Sequence, residues 1–288
     1  MELKKAIESH LIEGPRMFVS GPIISNIGGQ VSGLSEEYHH FATKEYKIIN
    51  GVEEAIKAVR ENIHYGVDLI KICADNSPNN LELSFQEMKT IVDIAHRYNL
   101  KVTAHATTNQ SAETAIMAGV DCIEHGYDLS LSTLQLMQSK NVALVPTDKS
   151  GFLIKKYLMK MGSGGDLDGR VNNMQSRAKN RLALAREAGV TILVGSDNYI
   201  NFDMPQGEAA KQVLIALKEE GMDPLDILQS ATFLSAQWMG MENEIGVFKE
   251  GCWADIIAVK NDLQNNFSES MNTVVFVMKE GRIYYKNL

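Results

Sequence analysis

Two consecutive predicted β-strands that each end in a histidine constrain the fold of this sequence most strongly. Within Lys101–Asp128, one strand runs into His105, a helix covers Ser111–Ala118 and is closed by Gly119, and a second short strand ends at His125. The carboxyl ends of neighbouring strands converge on one mouth of a parallel barrel, where active sites lie. Neutral imidazoles side by side are a common way to hold a transition metal. A histidine at a strand end can also simply bond to a nearby carbonyl, and this pair alone leaves both interpretations open.

The composition restricts the class of protein and its partners. The 288 residues are 44% hydrophobic and 22% charged, which suits one large domain, or one domain with a small extension, around an ample core. A net charge of −8 argues against nucleic acid or an anionic membrane as partner. No apolar run approaches the roughly 20 residues of a membrane span. The first residues, MELKKAIESHLIEG, lack the apolar segment of a signal peptide. The three widely spaced cysteines favour a reducing compartment, and we predict a cytoplasmic location.

Predicted strands alternate with predicted helices along most of the chain, which is typical of a parallel α/β fold. From about residue 245 the pattern changes to short strands and turns, which indicates a small β appendage. We therefore predict a barrel-like domain over residues 1–240 and a β subdomain over 241–288. A Gly-rich segment, Gly162–Gly169, is predicted to be a flexible lid between helices. Six βα units are expected, two fewer than an eight-stranded barrel needs, with strands beginning at Met17, Val67, Lys101, Val120, Val142 and Thr191.

Two further residues lie in or directly after predicted strands. Lys71 interrupts the apolar strand DLIKIC, where a bare ammonium group is costly to bury. It can pair with a neighbouring carboxylate, or its amine can react with carbon dioxide to give an anionic carbamate that bridges two cations. Asp197, in VGSDN, can cap a helix or shape a turn. In a metal site it would instead be a ligand and a general base.

Taken together, these residues resemble the metal-dependent amidohydrolases, within them the branch of imidazolonepropionase and Xaa-Pro dipeptidase-like carboxypeptidases. The order and spacing of the similar motifs hold over nearly the whole chain. The motifs around the four residues are GVDLIKI (Gly66–Ile72), VTAHA (Val102–Ala106), AGVDCIEHG (Ala118–Gly126) and GSD (Gly195–Asp197). The tail is similar over Ala231–Gly240, Ile245–Val259 and Val274–Tyr284.

The resemblance implies a TIM-barrel-like (β/α) metallo-dependent hydrolase fold with a β-sandwich-like subdomain. Lys71 would be carboxylated by carbon dioxide and would bridge two divalent metal ions, expected to be zinc. His105 and His125 would bind the more exposed ion, while Asp197 would contact the buried ion and act as general base. The implied reaction is hydrolysis of an amide or peptide C–N bond, in which Asp197 passes a proton to the leaving nitrogen.

The sequence also departs from the family pattern. The family carries a His-x-His pair on its first strand, and none of the seven histidines here forms one. The first residues align just before the third strand of a family member, so the expected barrel is incomplete. Gln30 and Gln206 stand where relatives often have histidine, so contacts to substrate are not carried over there. Adjacent His39 and His40 are not expected to replace the missing pair, because neighbouring side chains in an extended loop diverge.

Three interpretations follow: a fragment of a longer amidohydrolase, a degenerate protein that binds a ligand or metal without hydrolysis, or one half of a split enzyme. Lys71, His105 and His125 could still hold one ion, because three protein ligands plus water make a catalytic zinc set. An incomplete barrel has open edges, which predicts a homo-oligomer or a complementing chain.

The substrate is predicted to be a small molecule, in the first place a dipeptide with a free C-terminus. An imidazolone or another cyclic amide is the alternative. Tyr127, Arg177 and Arg181 are candidates for binding a substrate carboxylate, or else pack on the surface and along a helix face.

Overall fold

The computed structural model describes residues 1–27, 37, 40, 44–76 and 81–287. They form two compact units, one of Met1–Leu144 with Ala188–Val190 and one of Val145–Glu187 with Thr191–Leu288. Across the described ranges, no helix has both the length and the apolar character to cross a membrane. The division at residues 240 and 241 stays a prediction.

A six-stranded sheet lies mainly in the first unit, in the order β2-β1-β3-β4-β5-β6. The pairings of β1 with β2 and β3, of β3 with β4 and of β4 with β5 are parallel. This sheet of six parallel strands alternating with helices confirms the predicted fold class. Its strands are β1 (Ile23–Ser25), β2 (Tyr46–Ile48), β3 (Leu69–Cys73), β4 (Lys101–Ala106), β5 (Cys122–His125) and β6 (Ala143–Val145).

Two of the six predicted strands are wrong. Met17–Ser20 is not a strand; its Val19 N–H donates to Asp68 Oδ2 at 2.7 Å, and its carbonyl accepts from Asp68 N at 2.8 Å. Thr191–Val194 contributes only a single bridge residue, Ile192. The strands β1 and β2 take their places in the count. They lie in or after the segment GPIISNIGGQVSGLSEEYHH, whose Gly, Ser and Asn content predicts a long loop. The part of that loop around Gly28-Gly29-Gln30, and His39, lie outside the described residues.

Helices of the first unit follow the sequence pattern closely. That pattern predicts helices over Gly51–Tyr65, over Ser84–Tyr98 with Ser84 as N-cap, over Ser111–Ala118 and over Leu131–Ser139. A capping box begins the helix α3 (Phe85–Arg97). In it, Ser84 Oγ accepts from Glu87 N, while the Glu87 carboxylate accepts from Ser84 N at 2.8 Å. Gly119 ends α4 with a φ of 99°, a left-handed conformation that glycine adopts at little cost. Successive helices from α2 to α5 pack against one another. The helices are α1 (Glu2–Glu8), α2 (Val52–His64), α3 (Phe85–Arg97), α4 (Asn109–Ala118) and α5 (Leu131–Ser139).

The central strands β3, β4 and β5 have one apolar and one polar face. Side chains alternate between the faces of a strand, so Lys71, Thr103 and Glu124 share one face by their register. The opposite face is fully buried and forms the core under the helices; it consists of Ile70, Ile72, Val102, Ala104, Ala106 and Ile123. The sequence pattern thereby turns the polar side chains away from this core.

The second unit is helical with a small antiparallel sheet, as predicted for the tail. The predicted lid is partly helical, because α7 begins at Leu167. The sequence pattern over Pro224–Met239 predicts a single helix, which is wrong, because the helix is interrupted at Thr232. The elements are α6 (Gly151–Lys160), α7 (Leu167–Glu187), α8 (Gln206–Glu219), α9 (Pro224–Ala231), α10 (Phe233–Trp238), β7 (Ile256–Val259), α11 (Phe267–Asn272), β8 (Val274–Lys279) and β9 (Arg282–Lys286), with β8 between β7 and β9.

Candidate metal centre

The structure brings His105 and His125 together at the carboxyl ends of β4 and β5. Ala106 is the register partner of His125, so the two histidines lie one step apart on neighbouring strands. Their ring centroids are 4.5 Å apart with an interplanar angle of 69°. The φ of His125 is 71°, a left-handed conformation that is uncommon for a residue other than glycine. This backbone turn ends the strand and leaves the His125 side chain only 5% exposed.

A buried carboxylate, Asp75, contacts the His105 ring from the loop after β3. His105 Nε2 lies 3.2 Å from Asp75 Oδ1, and Asp75 is 1% exposed. Burial opposes ionisation of Asp75, but hydrogen bonds from His105, Ser111 and Thr107 outweigh it and hold the pKa of this carboxyl well below its usual range. Asp75 is therefore an anion that fixes one edge of the His105 ring.

Tyr127 lies against the other histidine. Its hydroxyl oxygen is 3.4 Å from His125 Nδ1, and the two ring centroids are 5.5 Å apart. The Tyr127 side chain is 44% exposed, so it borders the histidine pair on the solvent side. Whether Tyr127 contacts a substrate carboxylate stays a prediction.

Lys71 forms an ion pair on the polar face of the sheet. Its ammonium donates to Glu124 Oε2, and Thr103 Oγ1 donates to Glu124 Oε1 at 2.8 Å. The Lys71 and Glu124 side chains are 13% and 23% exposed. The Lys71 amine thus lies against a neighbouring carboxylate, as in the first of its two alternatives, and the carbamate stays a prediction. Glu124 is also the register partner of His105, so the ion pair lies beside the histidines.

Asp197 belongs to the second unit and follows Thr191–Val194. It is exposed, with a φ of 45°. Burial lowers the pKa of Lys149, while the charges of nearby Asp197 and Asp148 act in the opposite direction. Lys149 Nζ also lies 3.5 Å from the Ser196 carbonyl oxygen. Asp197 is thus next to a cation of its own unit, and its role as ligand and base stays a prediction.

Other candidates from the sequence lie in different environments. Gln206 begins α8, and its Oε1 accepts from Asn198 Nδ2 at 2.6 Å. The glutamine that stands where relatives often have histidine therefore contacts the residue directly after Asp197. Arg181 is 3% exposed and is paired with Asp148, so it packs within the second unit, while Arg177 is exposed. His40 is exposed, and its Nδ1 lies 2.8 Å from the Glu37 carbonyl oxygen.

The histidine pair suits a borderline divalent cation, because two adjacent imidazoles are typical ligands of such ions. In the described part of the chain, no group of three or more His, Cys, Asp and Glu side chains is arranged to hold a metal ion. The donors therefore fit a metal as a pair, and a third ligand from the same sheet would have to come from Lys71 after conversion to a carbamate. The assignment of Lys71, His105, His125 and Asp197 as ligands stays a prediction.

Known proteins resemble this chain over almost its entire length. A model of the amidohydrolase family matches residues 2–284. The ochratoxinase of Aspergillus niger is 29% identical over 310 aligned positions, which cover 98% of this chain and 63% of that protein. The chain thus spans less than two thirds of the length of this relative.

Solved structures agree with that match. A prolidase in complex with N-methylphosphonate-L-proline superposes with a TM-score of 0.85 at 27% identity, covering 99% of this chain and 73% of that one. A Xaa-Pro dipeptidase with bound methionine gives a TM-score of 0.83 at 27% identity, covering 99% and 71%. Members of this superfamily generally depend on metal ions.

Proposed function

We propose, from the premise that this chain belongs to the amidohydrolase family, that it hydrolyses an amide or peptide C–N bond of a small substrate with the help of a divalent metal ion. The observation that carries the proposal is the pair His105 and His125, whose ring centroids are 4.5 Å apart at the carboxyl ends of adjacent parallel strands. In barrel-like α/β folds this is the end of the sheet where catalytic groups lie. The same two histidines lie in two of the motifs that carry the family resemblance in the sequence.

His105 and His125 would hold the metal, zinc being the first candidate, with Asp197 and the carbamate of Lys71 as further ligands. When bound, a divalent cation acts as a Lewis acid on the substrate carbonyl and makes water a better nucleophile at neutral pH. The carbamate requires the Lys71 amine to lose a proton and leave its ion pair with Glu124. Carbamate formation and the ion pair are therefore mutually exclusive states of Lys71.

The proton transfers of the reaction are assigned to Asp197. Its carboxylate would accept a proton from the attacking water and deliver it to the nitrogen of the leaving amine, as a general base that becomes a general acid. Its exposed position in the second unit leaves the carboxylate open to water. Asp197→Asn should therefore reduce turnover much more than it reduces metal content.

The substrate class that we favour is a dipeptide or N-acyl amino acid with a free carboxylate, as in Xaa-Pro peptides. Similarity to a prolidase and to a Xaa-Pro dipeptidase supports this class. Hydrolysis of a cyclic amide, as in imidazolonepropionase, is the alternative reaction. We also propose a cytoplasmic location, which fits the lack of any disulfide among three cysteines that all lie in the described part of the chain.

A non-catalytic ligand- or metal-binding protein is the second candidate function, and one observation favours it. In the described part of the chain, no group of three or more His, Cys, Asp and Glu side chains is arranged to hold a metal ion. The two candidates differ in one measurable quantity, the number of metal ions per chain.

The first experiment is elemental analysis of protein purified with bicarbonate and without chelator, followed by assays with Xaa-Pro dipeptides. We expect bound zinc and amine release from a dipeptide. Lys71→Ala should lose metal and regain part of it with added acetate or propionate, because a free carboxylate can take the place of the carbamate. A protein that contains no metal and hydrolyses none of the dipeptides would contradict the hydrolase function and favour the non-catalytic one. A Lys71→Ala variant with full metal content would exclude Lys71 as a ligand.

A further inference from the structure

We propose that Asp75 is a positioning residue for His105, which holds the ring in the tautomer that presents Nδ1 as the lone-pair nitrogen for the metal. The inference rests on the proposed metal-dependent function. It adds a residue from the loop after β3 that none of the sequence motifs contained. Carboxylates that hold a ligating histidine from behind typically set its orientation and its basicity.

The surroundings of Asp75 fix the position of both of its oxygens. Oδ2 accepts from the backbone N–H groups of Thr107 at 2.7 Å and Thr108 at 3.1 Å, and also from Ser111 Oγ. Oδ1 accepts from Thr107 Oγ1 at 3.1 Å and lies 3.2 Å from His105 Nε2. Backbone N–H groups can only donate, so Oδ2 has to remain an acceptor. Oδ1 is then the oxygen that serves His105.

The hydrogen bond from His105 determines where the imidazole carries its proton. Because both oxygens of Asp75 already accept from other donors, Nε2 of His105 is the group that donates to Oδ1, and a neutral ring protonated at Nε2 has its lone pair on Nδ1. The arrangement at Asp75 therefore selects Nδ1 of His105 as the metal-binding nitrogen. It also anchors the ring to the residues directly before α4, because the same carboxylate accepts from the backbone N–H groups of Thr107 and Thr108.

Asp75→Asn is the variant that separates positioning from packing. The amide oxygen must take the Oδ2 position, because Thr107 N and Thr108 N continue to donate there. The amide NH₂ group then faces His105 Nε2, which becomes the acceptor, and the ring proton moves to Nδ1. Replacing the aspartate that orients a catalytic histidine in serine proteases by asparagine produces the wrong tautomer in the same way. The variant should keep the fold and lose the metal-binding nitrogen.

A control variant tests whether Asp75 acts only by capping α4. Thr108→Ala removes the side chain that accepts from Ser111 N at 3.1 Å at the start of the same helix. It should destabilise the protein by about 1 kcal/mol, the usual effect of losing an N-cap. It does not contact His105 and should leave the tautomer of that ring unchanged.

The experiment combines two readouts on the full chain with selectively ¹⁵N-labelled histidine. Long-range ¹H–¹⁵N spectra of metal-free protein report the tautomer of His105, assigned with His105→Gln, and titration with Zn²⁺ alone reports affinity. We expect Nε2–H in the parent protein and in Thr108→Ala, and Nδ1–H in Asp75→Asn, with Zn²⁺ affinity about 10- to 100-fold lower in the last.

The two readouts also distinguish this inference from the proposed function. If the parent chain binds no Zn²⁺ but the tautomers change as expected, the positioning role of Asp75 is supported and the metal-dependent function fails. If Asp75→Asn leaves the proton on Nε2, or if Thr108→Ala lowers Zn²⁺ affinity as much as Asp75→Asn does, the positioning role is overturned.

Discussion

Glu220 and Asp148 are two carboxyl groups buried against one guanidinium, that of Arg181, in the second unit. Glu220 is 6% exposed, and its Oε2 is buried without a hydrogen-bond partner. Burial, together with the charge of Asp148 and a hydrogen bond with it, raises the pKa of Glu220 to about 9, against the opposing effect of Arg181. Glu219 is the other charged group that acts on Glu220, and it also raises the pKa.

We predict that this group makes the protein less stable as the pH rises. The folded-state pKa of about 9 lies above the ordinary value of 4.5, so the folded chain holds a proton that the unfolded chain releases. The stabilisation is complete below about pH 4.5 and is lost between there and about pH 9. The slope reaches at most about 1.4 kcal/mol per pH unit.

Glu220→Gln should flatten this slope, because an amide does not titrate. The measurement is urea unfolding at several pH values between 5.5 and 8.5, with Glu187→Gln, which removes an exposed carboxylate of the same unit, as control. We expect the parent and the control to lose stability with rising pH relative to Glu220→Gln. Parallel curves for all three proteins would show that Glu220 does not titrate in this range.

The histidine pair could be predicted from the sequence, whereas Asp75 could not. A histidine at the end of each of two consecutive apolar strands is visible as a pattern, and parallel strands bring such ends together. Asp75 lies in ADNSPNN, a run of turn-forming residues in which an aspartate has no distinguishing neighbour. Its hydrogen bonds come from residues 30 or more positions later, so only the fold reveals them.

Among the elements, helices with local end signals were predicted most accurately. Ser84 and Gly119 mark helix ends by interactions with residues a few positions away, and such signals are readable in the sequence. At the break at Thr232, two hydroxyl groups bond to carbonyl groups of the preceding turn. Thr232 Oγ1 donates to the Leu228 carbonyl at 2.6 Å, and Ser235 Oγ donates to that of Ser230 at 2.6 Å. The apolar periodicity continues across the break, so the sequence pattern gives no sign of two separate helices.

Gly246 packs directly against this break and gives a matched test of its importance. Its φ is 86°, and an added Cβ would lie 2.9 Å from the Thr232 carbonyl oxygen. Gly251 has a φ of 91° with no atom within 4 Å of such a Cβ. Gly251→Ala should lower the free energy of unfolding by about 1–2 kcal/mol, because alanine is unfavourable in this left-handed backbone conformation. Gly246→Ala should lower the free energy of unfolding by a further 1–3 kcal/mol or so, because the added Cβ overpacks this contact. Chemical denaturation measures both variants. Equal losses of stability would mean that the contact at Thr232 adjusts to the added atom at little cost.

For the whole molecule, the alternation of strands and helices predicted the fold class, while the shortest strands were missed. Tyr46–Ile48 and Ile23–Ser25 are three residues each and lie close to polar and glycine-rich sequence. They pair with each other, and Ile23–Ser25 pairs also with β3. Thr191–Val194 has the apolar composition of a strand but not the ladder partners. Where the local sequence pattern is weakest, pairing between segments that are distant in sequence therefore determines whether a strand forms.

The edge of the described sheet leads to a prediction about association. In the described part of the chain β2 pairs with β1 alone, and Ile49 N donates to the Ser25 carbonyl oxygen at 2.8 Å. Backbone groups alternate in direction along a strand, so the N–H of Ile48 points away from β1, and its side chain is 39% exposed. An edge of this kind invites pairing with another chain, and a charged side chain opposes it. We therefore predict concentration-dependent self-association, measurable by light scattering after size-exclusion chromatography.

Ile48→Lys should reduce that association, because desolvating a lysine in a strand–strand contact is unfavourable. Leu11→Lys is the matched control, since Leu11 is 78% exposed and lies outside every strand. If both variants reduce association equally, general surface hydrophobicity is responsible rather than the β2 edge. If the parent chain is monomeric at all concentrations, the edge does not pair between copies of this chain, and a different polypeptide would be the partner to look for. Restoration of zinc binding or dipeptide hydrolysis by such a polypeptide would then connect the β2 edge to the metal site.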